Sequence, residues 1–279
     1  MSDREGGRQS TDAVTVYDHP LSPYGQKVKI ALLEKGVAFD TVLPDAMGSG
    51  NTPGRFNRVS PRGEVPALVD GDVAVFDSRV ILEYIEDRWP EPALLPQAAA
   101  DRARVRMLEE AMDTHFEAIT WGLSEIRNFG RATGELAGTM EARGGEQIGA
   151  WYRWLEARLG DAPWFNGERF GWGDLAVAPF VNGASGFGHP PPAASHLEAW
   201  LARANARDSV SRCARAAAEV GRDGGGASLE AVRQAMEEGA FKREYRDHRL
   251  EWMVKTGGLS VVEEGLRKQN VRFIEPFAP

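Results

Sequence analysis

The sequence has 279 residues, of which 42% are hydrophobic and 27% charged, and its net charge at pH 7 is −8. This composition is typical of a globular protein, and the length favours two domains. The acidic balance and the lack of a basic stripe disfavour binding to nucleic acid or to anionic membranes. Cys213 is the one cysteine, so no disulfide can form within the chain, which fits a reducing compartment.

Residues 1–12 are polar and charged, without the apolar segment of a secretory signal. We expect them to form a disordered start. No apolar run approaches the roughly 18 residues that a membrane helix needs. The pattern therefore predicts a cytoplasmic protein without a membrane span.

From residue 13 to residue 90, strand and helix patterns alternate. Apolar and β-branched runs predict strands at 14–18, 37–43, 65–69 and 73–76, and helical spacing predicts helices at 23–36 and 78–89. Gly, Pro and Asn residues predict a loop over 45–56. Asp70-Gly71 between the last two strands is typical of a hairpin. We expect an α/β domain over residues 13–90, in the order β-α-β-β-β-α.

A proline-rich stretch at residues 90–96 marks the expected domain boundary. Helical periodicity then predicts a helical domain over residues 91–220, with helices at about 101–129, 141–160, 174–184, 195–205 and 208–220. The glycines of 221–226 predict a flexible hinge. They begin a C-terminal extension, residues 221–279, which we expect to be helical over 228–270 and β-like over 271–277.

Ser22 lies between the first strand and the first helix, where the N–H groups of a helix start have no backbone partner. A hydroxyl in this place can donate a hydrogen bond to a bound thiolate and lower the pKa of that thiol. An ordinary N-cap serine explains the residue as well. Its position alone favours the cap.

Two other motifs are equally ambiguous. A cis Val65–Pro66 bond could turn the strand start toward a peptide-like ligand, whereas a trans proline would only open an edge strand. Asp77 and Ser78 begin a helix, where they can cap it or help its free N–H groups to hold a carboxylate.

These three motifs, in this order and on this succession of elements, resemble the glutathione transferase superfamily. The resemblance is close over residues 14–89 and looser over 101–220, and it does not extend to 221–279. It implies a thioredoxin-like N-terminal domain, a helical C-terminal domain with a helical extension, and a homodimer. It also implies glutathione as co-substrate and no metal.

The resemblance implies a role for each motif. Ser22 matches the catalytic serine of the serine-type classes, such as theta and zeta. The Val65 backbone, before a cis Pro66, would pair with the cysteinyl part of glutathione. Asp77 and Ser78 would hold its γ-glutamyl amine and carboxylate. The implied activity is that of a glutathione S-transferase, in which the thiolate attacks a small hydrophobic electrophile.

The chain departs from the family at two of its positions. Many relatives have Gln or Lys before the Val-Pro pair, able to reach the glycyl end of glutathione, whereas this chain has Glu64. Glu64 would point to solvent or pair with Arg62, or it would repel the glycyl carboxylate. In the second case another base compensates, or the thiol cofactor is not glutathione. Gly171 stands where the family usually has Ser or Thr, three residues before the retained Asp174. We expect some loss of stability there but the same fold.

The electrophile pocket is expected between the domains, near Tyr24. Its candidate walls are aromatic or apolar: His115, Phe116, Ile119, Trp121, Phe187 and Trp252. In the extension, four side chains are spaced for one helix face: Phe241, Tyr245, His248 and Trp252. This face would dock on the helical domain, close the pocket as a lid, or contact a partner subunit. The mixed charges of this segment are expected on its solvated outer face.

Other functions stay open on the sequence alone. The same thiolate could serve a glutathione-dependent dehalogenase or ether-cleaving enzyme, or a cis–trans isomerase that does not consume glutathione. The alternative that is not an enzyme is a noncatalytic interaction module of the same fold. The hydroxyl of Ser22 argues mildly against that module, since such relatives often lose the activating hydroxyl.

Overall fold

The computed structural model describes residues 13–44, 55–223 and 229–273. The expected disordered start, most of the loop expected at 45–56, the glycines of 224–226 and the end of the β-like tail lie outside these ranges. In the described part of the chain, no helix combines the length and the apolar character needed to cross a membrane.

The N-terminal domain is built on a four-stranded sheet in the order β2-β1-β3-β4. The strands are β1 (Val14–Tyr17), β2 (Phe39–Val42), β3 (Ala67–Asp70) and β4 (Val73–Phe76), and the helices are α1 (Pro23–Glu34), α2 (Arg55–Val59) and α3 (Ser78–Arg88). β1 is parallel to β2 and antiparallel to β3, and β3 and β4 form the predicted hairpin. The structure thus confirms the α/β prediction and its thioredoxin-like order.

Alternation along the strands divides the apolar side chains between two faces of the sheet. Val16 and Leu68 belong to the larger core, with the apolar side chains of α1 and α3. Tyr17 and Val69, their neighbours in sequence, pack with Phe56 of α2 in a second cluster. The predicted strand pattern thus places a helix layer on each side of the sheet.

The second domain is helical, as predicted. It contains α4 (Ala99–Ala111), α5 (Glu117–Arg127), α6 (Gly134–Leu159), α7 (Trp172–Gly186), α8 (His196–Asn205) and α9 (Asp208–Asp223). A π-helical turn, Met112–Phe116, joins α4 to α5 where the sequence predicts one long helix. Such turns are frequent at functional sites. The Asp113 side chain of this turn contacts Lys27 of α1 across the domain interface.

The prediction of continuous helix over 228–270 is wrong. The extension contains α10 (Leu229–Glu237), α11 (Asp247–Thr256) and α12 (Leu259–Arg267), and a two-stranded parallel sheet of β5 (Arg243–Glu244) and β6 (Val271–Arg272). Gly257 ends α11 with a left-handed φ of 101°, a conformation that glycine adopts without strain. Here β5 pairs with β6, which is distant in sequence. Helical periodicity gives no information about such pairing.

The four side chains expected on one helix face of the extension do not share one. Phe241 and Tyr245 precede α11, because the backbone N–H groups of Arg243 and Tyr245 donate to carbonyls of the 270–272 segment at 2.9 and 3.1 Å. Tyr245 is nevertheless fully buried, with its ring against Trp121 at 4.8 Å between centroids. The extension is therefore docked on the helical domain.

Candidate functional site

A cleft of about 1780 Å³ lies where the two domains and the extension meet. The sheet domain lines it with Ser22, Tyr24, Arg62, Glu64, Val65, Pro66, Asp77 and Ser78. The helical domain adds Asp113, Glu117, Trp121, Phe180 and Phe187, and the extension adds Glu244, Arg246, Arg249 and Arg272. The three sequence motifs of the N-terminal domain thus share one cavity.

Ser22 is the N-cap of α1, and Pro23 follows at the first helical position, where it fits best. The Ser22 Oγ accepts a hydrogen bond from the Gly25 N–H at 3.2 Å. A hydroxyl that accepts one bond still has its own hydrogen to donate. The cap and the donor role are therefore compatible, and the same side chain lines the cleft.

The Val65–Pro66 peptide bond is cis, as the family resemblance implies. Strand pairing of β3 begins at Ala67, which lies opposite Tyr17 and Phe76. Val65 thus lies just before the paired part of the strand and on the wall of the cleft. An extended peptide in the cleft can reach its backbone.

Asp77 and Ser78 stand at the start of α3. Asp77 is the N-cap, with a positive φ of 74°, and its carboxylate accepts from the Arg79 N–H at 3.1 Å and from Arg62 at 2.8 Å. Burial opposes its ionisation, but the hydrogen bond and charge of Arg62 bring the pKa of Asp77 below its ordinary value. Ser78 is buried beside it. The pair offers a carboxylate, a hydroxyl and a helix N-terminus to a ligand.

Tyr24, two residues after Ser22, is engaged elsewhere. Its hydroxyl donates to the backbone carbonyl of Asp113 at 2.6 Å. Burial, reinforced by the charge of Glu117, holds the pKa of Tyr24 well above its ordinary value, so the donor stays protonated. A phenol has one hydrogen to donate. Tyr24 thus forms part of the wall near Ser22 and cannot donate to a ligand without losing this bond.

Glu64 pairs with Arg62, as one of the two sequence expectations has it, at 3.3 Å between Nε and Oε2. The same oxygen lies 3.2 Å from Arg246 of the extension. Burial raises the pKa of Glu64 to about 8, and the neighbouring carboxyl of Glu244 acts in the same direction. Glu64 and Glu244 are thus two neighbouring carboxyl groups among several arginines.

This raised pKa predicts how pH acts on stability. Between the ordinary value of 4.5 and about 8, the folded protein keeps a Glu64 proton that the unfolded chain has released, so stability falls as pH rises. Glu64→Gln removes this dependence. Relative to the wild type, we expect the free energy of unfolding of the variant to increase by about 3–4 kcal/mol between pH 5 and pH 8, and by little more above about pH 9. Urea unfolding at several pH values measures the difference; a constant difference would contradict the assignment.

A buried ion triad joins the domains behind the cleft. Lys27 of α1 lies 2.6 Å from both Glu109 and Asp113, and it is fully buried. Trp172 of α7 donates its indole N–H to Glu109 at 2.7 Å. Burial raises the pKa of Asp113 to about 6, although Lys27 opposes the shift. The triad holds the carbonyl of Asp113 in place under Tyr24.

The candidate pocket walls divide into two groups. Trp121 and Phe187 line the cleft, as does Tyr24. Phe116, Ile119 and Trp252 do not, because they are 0%, 2% and 5% exposed in the core, where Trp252 packs against Gly122. The structure thus assigns these three to packing.

His115 is outside the cleft lining too. Its exposed ring stacks on Trp151 and meets the ring of His248 edge-on. Phe180 of α7 borders the cleft and lies edge-on to Tyr24 at 5.9 Å, but at 1% exposure it is also a core residue and mainly supports Tyr24 from behind. It lies within the helix predicted at 174–184, and no pattern there distinguished it from the other apolar residues.

Sequence reasoning also missed the charged residues that the extension brings into the cleft. They stand in the run of mixed charges predicted for a solvated face, but Glu244 is buried and the Arg249 side chain is only 14% exposed. Arg249 binds Glu117 at 2.6 Å, and Arg243 binds Glu125 at 2.5 Å. These ion pairs attach the extension to α5. No local pattern indicated them, because their partners lie more than 100 residues away.

Within the described ranges, no group of three or more His, Cys, Asp or Glu side chains is placed to hold a metal ion. Cys213 is buried on α9, and burial raises its pKa to about 11.

The sequence model described as the glutathione S-transferase N-terminal domain matches residues 16–93, and the one for the C-terminal domain matches residues 141–203. A probable glutathione S-transferase GSTU1 from Oryza sativa subsp. japonica is 31% identical over 215 residues, which cover 71% of this chain and 87% of that protein.

Two further similarities are informative. A stringent starvation protein A homolog from Coxiella burnetii is 39% identical over 104 residues, which cover 37% of this chain and 48% of that protein. The glutathione-bound theta class glutathione S-transferase from Xanthomonas axonopodis pv. citri superposes with a TM-score of 0.62 and 27% identity, covering 73% of this chain and 97% of that one. The chain therefore belongs to the glutathione S-transferase superfamily.

Proposed function

We propose that the protein is a glutathione-dependent transferase in which Ser22 stabilises the thiolate of bound glutathione. The observation that carries this proposal is the hydroxyl of Ser22 at the N-terminus of α1, in one cleft with Val65 and Ser78. The hydroxyl of Tyr24 nearby is already donated to Asp113. Ser22 is thus the hydroxyl of this pair that can donate to sulfur.

The cleft can also orient the rest of the tripeptide. The cysteinyl backbone would pair with Val65, and the γ-glutamyl end would meet Asp77, Ser78 and the N-terminus of α3. Glutathione is bound in the theta class relative from Xanthomonas axonopodis pv. citri. The opposite, glycyl end would then lie away from α3.

The chemistry is a nucleophilic displacement or addition. The sulfur lone pair forms a bond to an electrophilic carbon; in displacement the leaving group departs with its bonding electrons, and in addition the displaced π electrons take up a proton. The protein contributes a lower thiol pKa and orientation of the two reactants. Trp121 and Phe187 provide an aromatic wall that suits a hydrophobic electrophile.

Ser22→Ala tests this role. We expect the pKa of the bound glutathione thiol to rise by roughly one to two units, because the thiolate loses a hydrogen-bond donor. Turnover at pH 6.5 should fall by about 10-fold or more while glutathione affinity changes little. Titration of the thiolate absorbance in the ultraviolet measures the shift. Loss of the cap should cost about 1 kcal/mol, read separately from thermal unfolding.

Tyr24→Phe is the matched control, since it removes a hydroxyl that donates to Asp113 and leaves the aromatic ring. Its bound thiol pKa should equal that of the wild type. An equal thiol pKa in Ser22→Ala and wild type would contradict the proposal for Ser22.

A noncatalytic interaction module is the second candidate, favoured by the match to a relative that is named stringent starvation protein A homolog. Calorimetry with glutathione separates the two, because the module predicts no binding or an unchanged thiol pKa. If glutathione binds and is activated, its consumption distinguishes a transferase or dehalogenase from a cis–trans isomerase. Halide release then identifies a dehalogenase.

A further inference from the structure

The cleft has an arginine-rich end, which we define as Arg62, Arg246, Arg249 and Arg272 around the carboxyl groups of Glu64 and Glu244. Arg246 lies 3.2 Å from Glu64 and 3.4 Å from Glu244. Arg272 lies 2.8 Å from Glu244. Three of the four arginines come from the C-terminal extension, so this end of the cleft exists only when the extension is docked.

The charges at the arginine-rich end do not cancel. Asp77 accepts from Arg62, Glu117 binds Arg249, and Glu244 binds Arg272. The remaining carboxyl is that of Glu64, whose pKa burial raises to about 8. While Glu64 holds its proton, Arg246 shares the carboxylate of Glu244 with Arg249 and Arg272. The site thus retains one excess positive charge near neutral pH.

Two N–H groups at the arginine-rich end also lack a hydrogen-bond acceptor. Among the described residues, the buried Nε atoms of Arg62 and Arg272 make no hydrogen bond, although Glu64 lies near the first of them. Both side chains line the cleft. A buried donor without an acceptor is costly, and a ligand oxygen would remove this cost.

The position of this end determines which part of a ligand it meets. Glu64 is the residue immediately before Val65, whose backbone is proposed to pair with the cysteinyl unit. The γ-glutamyl end is assigned to the start of α3, so the other terminus of the tripeptide is a carboxylate with no partner yet. A planar guanidinium matches a carboxylate with two parallel N–H donors.

We propose that Arg246, supplied by the C-terminal extension, binds the glycyl carboxylate of glutathione together with Arg62. This inference rests on the proposed function of the cleft. The incoming carboxylate replaces the contact of Glu64 with Arg246, and Glu64 keeps its proton beside Glu244. The repulsion expected from a carboxylate before the Val-Pro pair is thereby avoided.

The test compares glutathione with its glycyl monoethyl ester, in which that carboxylate is blocked. Calorimetry on the full chain measures both dissociation constants for the wild type and for Arg246→Met. We expect the wild type to prefer glutathione over the ester by about 10-fold, the size of one charge-assisted pair. In Arg246→Met this preference should fall to less than about 3-fold, mainly through weaker binding of glutathione.

Two further variants control for folding and for charge alone. Arg267→Met removes an exposed arginine of the same extension, whose nearest acidic partner is Glu264 at 4.0 Å, and should keep the wild-type preference. Arg246→Lys keeps the charge without the planar fork and should have an intermediate preference. If Arg246→Met does not fold, the preference of Arg246→Lys for glutathione over the ester tests whether Arg246 binds the glycyl carboxylate.

The outcomes separate this inference from the proposed function. If the wild type binds neither ligand, the proposed function itself fails. If both bind and neither Arg246 variant changes the preference, or if both ligands weaken equally, Arg246 does not bind the glycyl carboxylate. A preference that disappears only in the Arg246 variants supports the proposal.

Discussion

Lys27→Met is expected to destabilise the protein by about 3–5 kcal/mol at pH 8, because it leaves two buried carboxyl groups without their counterion. Lys27 is fully buried and touches Glu109 and Asp113, each at 2.6 Å. It is also one of the contacts by which α1 of the sheet domain holds α4 and the π-helical turn. Chemical unfolding by urea, followed by tryptophan fluorescence, measures the change.

The loss should depend on pH in a stated direction. Burial already raises the pKa of Asp113 to about 6 against the opposing charge of Lys27, so removing that charge raises it further. Carboxyl groups with raised pKa values in the folded state destabilise it increasingly as pH rises. The variant should therefore be closer to the wild type at pH 5 than at pH 8.

Two controls make the Lys27 experiment specific. Lys255→Met breaks an exposed ion pair with Glu251, and such pairs contribute less than about 1 kcal/mol. Combining Lys27→Met with Glu109→Gln and Asp113→Asn should recover most of the lost stability, because no buried charge then remains unpaired. An equal loss in this triple variant would show that packing of the lysine, not its charge, matters.

Asp174→Ala is the second substitution with a large expected effect, also about 3–5 kcal/mol. The fully buried carboxylate accepts from the N–H of Phe165 and the indole of Trp200, each at 2.8 Å, and from the N–H of Gly171 at 3.0 Å. Alanine would leave three buried donors without their acceptor. Thermal and urea unfolding report the loss.

The loss of stability in Asp174→Ala can be compared with the losses in Asp174→Asn and Ser195→Ala. Asparagine keeps one acceptor oxygen, so Asp174→Asn should lose some stability relative to the wild type, but less than Asp174→Ala. Ser195 caps α8 with a single bond to the Glu198 N–H at 3.0 Å, and its loss should cost about 1 kcal/mol. If Asp174→Ala costs no more than Ser195→Ala, the carboxylate acts only as a helix cap.

The same helix start shows what a sequence pattern cannot reveal. Gly171 suggested a weaker cap than Ser or Thr would make, but a Cβ atom there would approach the Leu94 carbonyl to 2.5 Å. Asn166 fills the space instead: its carbonyl oxygen accepts from the Gly173 N–H at 3.3 Å, and its amide donates to Leu94 at 3.1 Å. Glycine is thus required because the backbone of Leu94 lies close to it, and Asn166 supplies the acceptor that a Ser or Thr cap would have supplied.

The C-terminal extension was predicted least well. Helical spacing suggested one long helix with an aromatic face, because Tyr245 and Trp252 are seven residues apart. The structure instead pairs β5 with β6 and buries these rings separately on α5. Strand pairing between segments almost 30 residues apart leaves no periodic trace in either two-residue strand. The charged residues expected in solvent are drawn inward by partners on α5 and before β3.

By itself, the sequence determined the order of strands and helices up to residue 220 apart from α2 and the π-helical turn, the β3–β4 hairpin, the cap at Ser22 and the three motifs that together resemble one superfamily. These features are local: they depend on side-chain period, turn residues and helix ends within a few positions. Only the tertiary structure decided which hydroxyl is left to donate, which aromatic rings face the cleft, and that Arg246 meets Glu64, 182 residues away in the chain. Such contacts result from packing between distant segments, so no local pattern can encode them.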